Sequence, residues 1–490
     1  MPRPEAGTLR FTGEILVKMT GAVGSVGAAT QLLGSPAPRP AGAVPALHRQ
    51  ATISDPASDL ARWHRVPISR SRQLLSEPGQ PKIWEAVREA LRQPGVEYAE
   101  PEAEVLQYVP PKFSLDTGLE LARDWHLGGP PGVGARAAWE RIARTTNRKP
   151  GEGVTIAHLD TGYSDHPAVP KGRFVSQGVD FWDVTRPNAS DPLQEGILLM
   201  PGHGTGTICV LAADHPDYQG IATGSRVLPV RVSPSVVQIR TSSLANGIVW
   251  ACHNGAQVIT ISMGGLPSQL WADAVNYAYE QGVVICAAAG NNFVLPLGAR
   301  TPSRVVFPAK FNRVVGVAGV TYRGLRYWSE RAGEMCGNFG SQVDISAPTP
   351  DVLWAQPPKG YGPGAGTSTA TPQVAAAAAL WLSFYRDVLA SFSPTERVEA
   401  CTHALLSSAR RVGQTPYGRG GKRDLPMFNE YFGAGQLDID AALEVAPVRG
   451  LPSRPRDDVR NVLAEFFGML SSDQERLGQQ IEQAWTVHAG

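Results

Sequence analysis

Nine consecutive apolar residues, 374–382, begin with a valine and then five alanines, and they follow a glycine-rich stretch, Gly360-Tyr361-Gly362-Pro363-Gly364-Ala365-Gly366. Alanine is the best helix former and glycine permits tight turns. This part of the chain is therefore expected to turn sharply and enter a helix, with Ser368 in the first turn. Unpaired N–H groups and the positive end of the helix dipole lie there, which suits a hydroxyl that must become an oxyanion-bearing nucleophile. Taken alone, a serine at a helix start is more often an N-cap. A catalytic reading needs partners elsewhere. The run is also too short for a bilayer, which takes about 20 residues.

The chain has 490 residues, enough for one large domain with appendages, and 42% apolar with 18% charged residues suits a globular protein with a large core. Lys+Arg (45) and Asp+Glu (44) nearly cancel, so no overall field points to nucleic acid or to an anionic membrane. Gly (52) and Pro (41) are abundant, which implies many turns rather than a helical bundle. The five cysteines, Cys209, Cys252, Cys286, Cys336 and Cys401, are widely spaced without a CxxC pair, and are expected to be reduced structural thiols. The first thirty residues lack a basic segment followed by an apolar one. A cytoplasmic location is the default expectation, with secretion lacking a signal peptide left open.

Leu9, Phe11, Ile15, Val17 and Met19 alternate as in a strand with one buried face. Residues 31–45 are rich in Pro, Ala and Gly and read as a loop. Ile83, Val87, Ala90 and Leu91 mark an amphipathic helix over 81–93 that Pro94-Gly95 stops, and Val96-Glu97-Tyr98 starts another strand. This predicts a small α+β domain over 1–110, a structural or docking module, with a linker over 111–124. At the other end, Pro447, Pro452 and Pro455 mark a linker into a helical extension over 447–490. There, 459–470 carries an apolar stripe and Ser472 with Glu475 reads as a capping box.

Between these ends, over 125–446, buried-strand patterns recur. Val154-Thr155-Ile156-Ala157-His158-Leu159 delivers Asp160-Thr161-Gly162 at a strand's carboxyl end, where sites form in open α/β sheets. A buried aspartate there needs hydrogen bonds or a positive neighbour to stay ionised. His203, in Gly202-His203-Gly204-Thr205, sits among small residues before an apolar helix. The order Asp160, His203, Ser368 is one of three known orders for a Ser-His-Asp triad.

These three motifs, with His166-Pro167 after the first and Gly366-Thr367-Ser368-Thr369-Ala370-Thr371-Pro372 as the third, resemble those of the subtilisin-like serine peptidases over about 125–445. The resemblance implies a three-layer α/β/α domain with a mostly parallel central sheet, a small α+β N-terminal domain and a short helical C-terminal extension. It implies hydrolysis of polypeptide substrates through an acyl-enzyme, with Asp160, His203 and Ser368 as triad and Asn291 in the oxyanion hole. Ser262, Met263, Gly264 and Gly265 would pair with a substrate strand, and Ala288, Ala289 and Gly290 would complete an open, uncharged pocket for an apolar or broad P1 residue. Residues 90–101 resemble the end of an inhibitory propeptide, which makes the N-terminal domain an expected intramolecular inhibitor and chaperone. No cofactor is expected. Asp214 and Asp217 alone do not make a calcium site, so no required metal is expected, with calcium left open but no site for it evident.

Three features depart from the family pattern. Thr369 replaces a methionine, Gly206 stands where a second histidine is common, and the loop between Asp160 and His203 is long, with Trp182-Asp183 and Asp191-Pro192. The competing reading is a catalytically silent fold used for peptide binding or as a scaffold. The intact set of Asp160, His203, Ser368 and Asn291 argues against it.

Overall fold

The computed structural model describes residues 9–20, 44–45, 59–67, 81–93, 95–105, 124–195, 199–236, 240–293, 304–327 and 335–460. The N-terminal domain is an antiparallel sheet of β1 (Leu9–Met19), β2 (Val44–Pro45), β3 (Trp63–Pro67) and β4 (Val96–Val105), in the order β2-β3-β1-β4. Helix α1 (Pro81–Leu91) covers one face, packing Val87 and Ala90 against Ile15, Val17 and Met19. The alternation in β1 predicts one buried face, but Leu16 and Lys18 on the other face are buried too. The remainder of the protein covers them.

That remainder is built on seven strands. They are β5 (Thr155–Asp160), β6 (Val179–Asp180), β7 (Arg226–Arg231), β8 (Val258–Ile261), β9 (Val284–Ala288), β10 (Val314–Val320) and β11 (Ile345–Pro348). They pair in parallel in the order β11-β10-β9-β8-β5-β7-β6. Every residue of β8, β9 and β10 is buried, which is why these strands read as unbroken apolar runs. From β5 the chain goes to the edge strand β6, fills in β7 beside β5, then crosses back to start β8 on β5's other side. The carboxyl end of β5, where Asp160 lies, is thus a topological switch point.

Helices cover both faces. On one lie α2 (His203–Ala212) and α5 (Thr367–Phe384), whose Ile208, Val374 and Ala375–Ala379 run share a core with Ile156, Val258 and Val317. Helix α5 is buried along its length except at Phe384, as an apolar helix without a polar face must be. On the other face lie α3 (Thr241–His253) and α4 (Gln269–Glu280), packed on Leu159, Val230 and Ile261. This is the expected three-layer α/β/α architecture with a parallel sheet.

The N-terminal sheet lies on α3 and α4. Leu16, Leu60, Trp63 and Tyr98 join their core. Glu100 accepts from Ser268 Oγ (2.8 Å) and Gln269 N (2.9 Å) at the start of α4. Glu102 accepts from Ser242 N (3.2 Å) and Oγ (3.1 Å) at the start of α3. Each carboxylate thus meets the positive end of a helix. Between them, Asp273 of α4 receives Lys18 Nζ (3.0 Å) and Trp63 Nε1 (2.8 Å).

The proline-marked stretch after 447 is laid on the domain rather than hanging free. Asp457 accepts from Asn312 N (2.7 Å) and Arg313 N (3.1 Å), and Arg456 reaches Asp59 of the N-terminal domain (2.9 Å). The helices expected beyond 460, the segment 106–123 and most of the 31–45 loop lie outside the described residues.

Candidate active site

Asp160 is wholly buried at the end of β5. Its Oδ1 accepts from His203 Nδ1 (2.7 Å) and Thr161 N (2.7 Å), and its Oδ2 from Thr207 Oγ1 (3.1 Å). Burial pushes the carboxyl up, but His203, His158 and the Thr161 N–H together hold it below the usual carboxylate range. The sequence-based condition for an ionised Asp160 is met.

His203 opens α2 after Gly202. Its approach to Asp160 depends on Gly204, because a Cβ there would collide with the Gly162 carbonyl. The long loop before it has a structural task. Asp191 Oδ2 accepts from Gly202 N (2.8 Å) and from Thr161 Oγ1 (3.4 Å), bracing the two motifs against each other. Trp354 stands edge-on to the His203 ring, centroids 5.7 Å apart. The same indole lies over Gly206, where any side chain would strike it, and this accounts for glycine in place of histidine.

Ser368 is the second residue of α5, entered through Gly366 at φ 87°. Pro372 has no N–H, so it leaves the Ser368 carbonyl, its i−4 partner, without the usual helix bond. Ser262 Oγ donates to that carbonyl instead (3.1 Å), and Ser368 Oγ donates to the Ser262 carbonyl (3.1 Å). The helix start is thereby fastened to the segment after β8. Thr369 has a role as well. Its Oγ1 bonds Thr349 Oγ1 (3.0 Å) and the Gly366 carbonyl (3.0 Å), tying α5 to the end of β11.

Asn291 lies beside this turn. Its side chain accepts from Thr367 N (2.9 Å). A backbone N–H only donates, so the atom facing it is Oδ1 and Nδ2 is left as a donor. Gly366 is needed here too, since a Cβ would press on Nδ2 at 3.0 Å.

Met263, Ala288 and Ala289 are buried, while Gly264, Gly265 and Gly290 are half-buried. Two donors of the first segment are already engaged, Gly264 N with the Val236 carbonyl (3.2 Å) and Gly265 N with the Phe307 carbonyl (2.8 Å). Val306 stands between the two segments, its methyls in the way of any Cβ on Gly264 and 3.0 Å from one on Gly290.

Two polar side chains near the site escaped the sequence reading. His158, two residues before Asp160 on β5, is 2% exposed, and burial pushes its imidazole down to about 4. Its Nε2 lies 2.8 Å from Thr207 Oγ1. A polar residue inside an otherwise apolar strand, on the aspartate's own face, was the available signal.

Residues 151–435 match the sequence model of the subtilase family, peptidase S8. The chain belongs to the subtilase family. It is 35% identical to thermitase of Thermoactinomyces vulgaris over 260 residues, 52% of this chain and 81% of the relative. It is 34% identical to a subtilisin of Bacillus pumilus over 299 residues, 60% of this chain and 92% of the relative. Among solved structures, fervidolysin of Fervidobacterium pennivorans shares the fold, with a TM-score of 0.60 at 19% identity over 92% of this chain and 63% of that one. This subtilase is a serine endopeptidase that acts on polypeptides. Among its described residues no helix is long and apolar enough to cross a membrane.

Proposed function

We propose that Asp160, His203 and Ser368 form the catalytic triad and that Asn291 Nδ2, with the Ser368 N–H, receives the oxyanion. His203 takes the Ser368 proton as the hydroxyl attacks a peptide carbonyl and returns it to the leaving amine. Asp160 fixes the tautomer by accepting from Nδ1 (2.7 Å). The Ser368 hydroxyl rests on the Ser262 carbonyl and turns to His203 when substrate arrives, since such bonds commonly tighten only in the Michaelis complex. The observation that carries the reading is the buried, hydrogen-bonded Asp160–His203 pair at the start of α2, a helix packed against α5, whose first turn carries Ser368 beside an Asn291 amide with no partner for its Nδ2 among the described residues. Substrate lies along residues 262–265 and 288–290, and Val306 restricts P1 to small side chains such as alanine.

The N-terminal domain serves as intramolecular inhibitor and chaperone, with 111–124 as its linker to the 125–446 peptidase domain and 447–490 as a C-terminal extension. Its seat on α3 and α4 supports this. The Glu100 and Glu102 caps and the Lys18–Asp273 pair are contacts that a folding template makes with those two helices.

No metal is needed. Lys422 Nζ donates to the carbonyls of Ala309 (2.8 Å), Phe311 (2.8 Å) and Val314 (2.7 Å) and pairs with Asp344 (2.9 Å). Three carbonyls and a carboxylate are donors suited to a hard cation. Here the chain's own ammonium fills their centre. The cytoplasmic location is part of the same proposal, supported by five free thiols, four of them buried.

Labelling with a fluorophosphonate tests the catalytic assignment. The protein should be labelled and Ser368→Ala should not; an unlabelled parent after removal of the N-terminal domain refutes it. Mass spectrometry tests processing. A new N-terminus between 108 and 127 in the parent but not in Ser368→Ala supports self-cleavage, and identical intact masses overturn it.

A further inference from the structure

Asp160 has two carboxylate oxygens, and the triad uses one. Oδ1 takes the His203 and Thr161 N–H groups, while Oδ2 is met by Thr207 Oγ1 at 3.1 Å. Thr207 Oγ1 is in turn 2.8 Å from His158 Nε2, and that nitrogen stands 3.7 Å from Oδ2 itself. His158 and Asp160, two apart on β5, share a face of the sheet. Thr207 and His203, four apart on α2, share a face of the helix. Two adjacent elements thus present two matched polar pairs.

Nothing in the packing requires the second pair. Ile156, two residues before His158, and Leu211, one turn after Thr207, are both wholly buried on the same faces. Burying an imidazole and a hydroxyl in this layer costs desolvation that two aliphatic side chains would avoid.

Proton placement follows from the donor inventory. Thr207 has a single hydroxyl proton and three acceptors in reach, Asp160 Oδ2 (3.1 Å) and the carbonyls of His203 (3.2 Å) and Gly204 (3.3 Å). The carboxylate is the strongest of the three. With that O–H donated to Oδ2, the hydroxyl oxygen faces His158 as an acceptor, and His158 must carry its proton on Nε2. Asp160 and His203 are the charged and titratable groups that act on His158, and burial keeps its ring neutral.

We propose that His158 and Thr207 form a positioning relay, Nε2–H to Oγ1 and Oγ1–H to Oδ2, that holds the Asp160 carboxylate in the orientation His203 requires. The relay rests on the triad assignment above. Neither residue touches substrate. They act through Asp160.

Steady-state kinetics on a peptide p-nitroanilide, with concentrations set by burst titration of active sites, test it. Thr207→Val, which removes the charge-assisted hydrogen bond to Oδ2, should lower kcat about tenfold, and His158→Val, which frees the Thr207 hydroxyl to turn to the His203 or Gly204 carbonyl, should do the same, with KM within about twofold in both. Because the relay is one chain, the double variant should lose no more than the worse single variant. His158→Gln keeps an N–H near Nε2 and Thr207→Ser keeps the hydroxyl, so both should stay within about threefold of the parent. If Thr207→Val or His158→Val keeps kcat within twofold while melting temperature alone changes, the pair is structural and the proposal is overturned. Losses that multiply in the double variant also overturn it. Should the valine variants not fold, the Gln and Ser variants decide: a tenfold kcat loss in both refutes the relay. Asp160→Asn, expected to cost about 10⁴, separates the two readings, since an active Asp160→Asn refutes the triad assignment itself.

Discussion

Val306→Gly should change which peptide bonds are cut. The Val306 methyls lie between Gly264 and Gly290, so on the proposed placement of substrate the P1 side chain would meet an isopropyl group. Deleting it removes three carbons and frees equivalent depth. At about 0.8 kcal/mol per buried methylene, a P1 side chain filling that depth gains about 2.4 kcal/mol. This is about 60-fold in kcat/KM at 1.36 kcal/mol per decade. Val306 is half-buried, so the stability cost is about 1–2 kcal/mol and the melting temperature drops only a few degrees. The assay is kcat/KM for p-nitroanilides that differ only at P1, alanine against leucine and phenylalanine. The parent should prefer alanine, and the variant should shift toward the large residues by about 60-fold relative to it. An unchanged P1 profile in a folded variant would show that Val306 does not bound P1, and the proposed placement of substrate would fall with it.

Ser368→Ala should lower kcat by about 10⁶ while leaving peptide binding, measured by calorimetry, near the parent value. Asn291→Ala should cost about 10²–10³ in kcat. Docking of the N-terminal domain should weaken with rising pH. Burial pushes Glu100 and Glu102 up to about 7 in the docked state from an ordinary 4.5, so docking takes up protons. The extra affinity is complete below about 4.5, falls at up to tenfold per pH unit for each group, and is gone above about 7; inhibition assays across pH 5–8 check this, and a flat profile contradicts it. Lys422→Ala should destabilise the domain by about 1–3 kcal/mol, because three carbonyls lose their donor while Asp344 keeps Arg423 Nε (3.0 Å). Added calcium or sodium should raise the variant's melting temperature and leave the parent's unchanged.

The site was legible in the sequence where chemistry and chain direction coincide. Asp160 ends an apolar run and His203 and Ser368 each begin a helix, so each motif announced its own element. What stayed hidden depends on contacts between distant segments. Gly206 looked like a lost histidine until Trp354, nearly 150 residues on, proved to lie across it. Thr369 had no reason until Thr349 appeared beside it (3.0 Å). Residues 447–455 read as a linker because prolines disfavour regular structure, and the bonds from Asn312 and Arg313 to Asp457 just beyond show why this stretch lies against the domain. The alternation in β1 was read as one buried face, which left Lys18, on the other, without an assigned partner. Asp273, 255 positions away, turns it into half of a buried ion pair.

His158 was the hardest to see. It passed as one member of a strand because its partner, Thr207, belongs to a different motif and each is unremarked without the other. Polar side chains inside apolar runs carry this kind of information. Their desolvation cost must be offset by something, and the strand alternation already says which face to search for it. For β5 that face holds Asp160, so the search for a partner leads directly to the proposed triad and to α2.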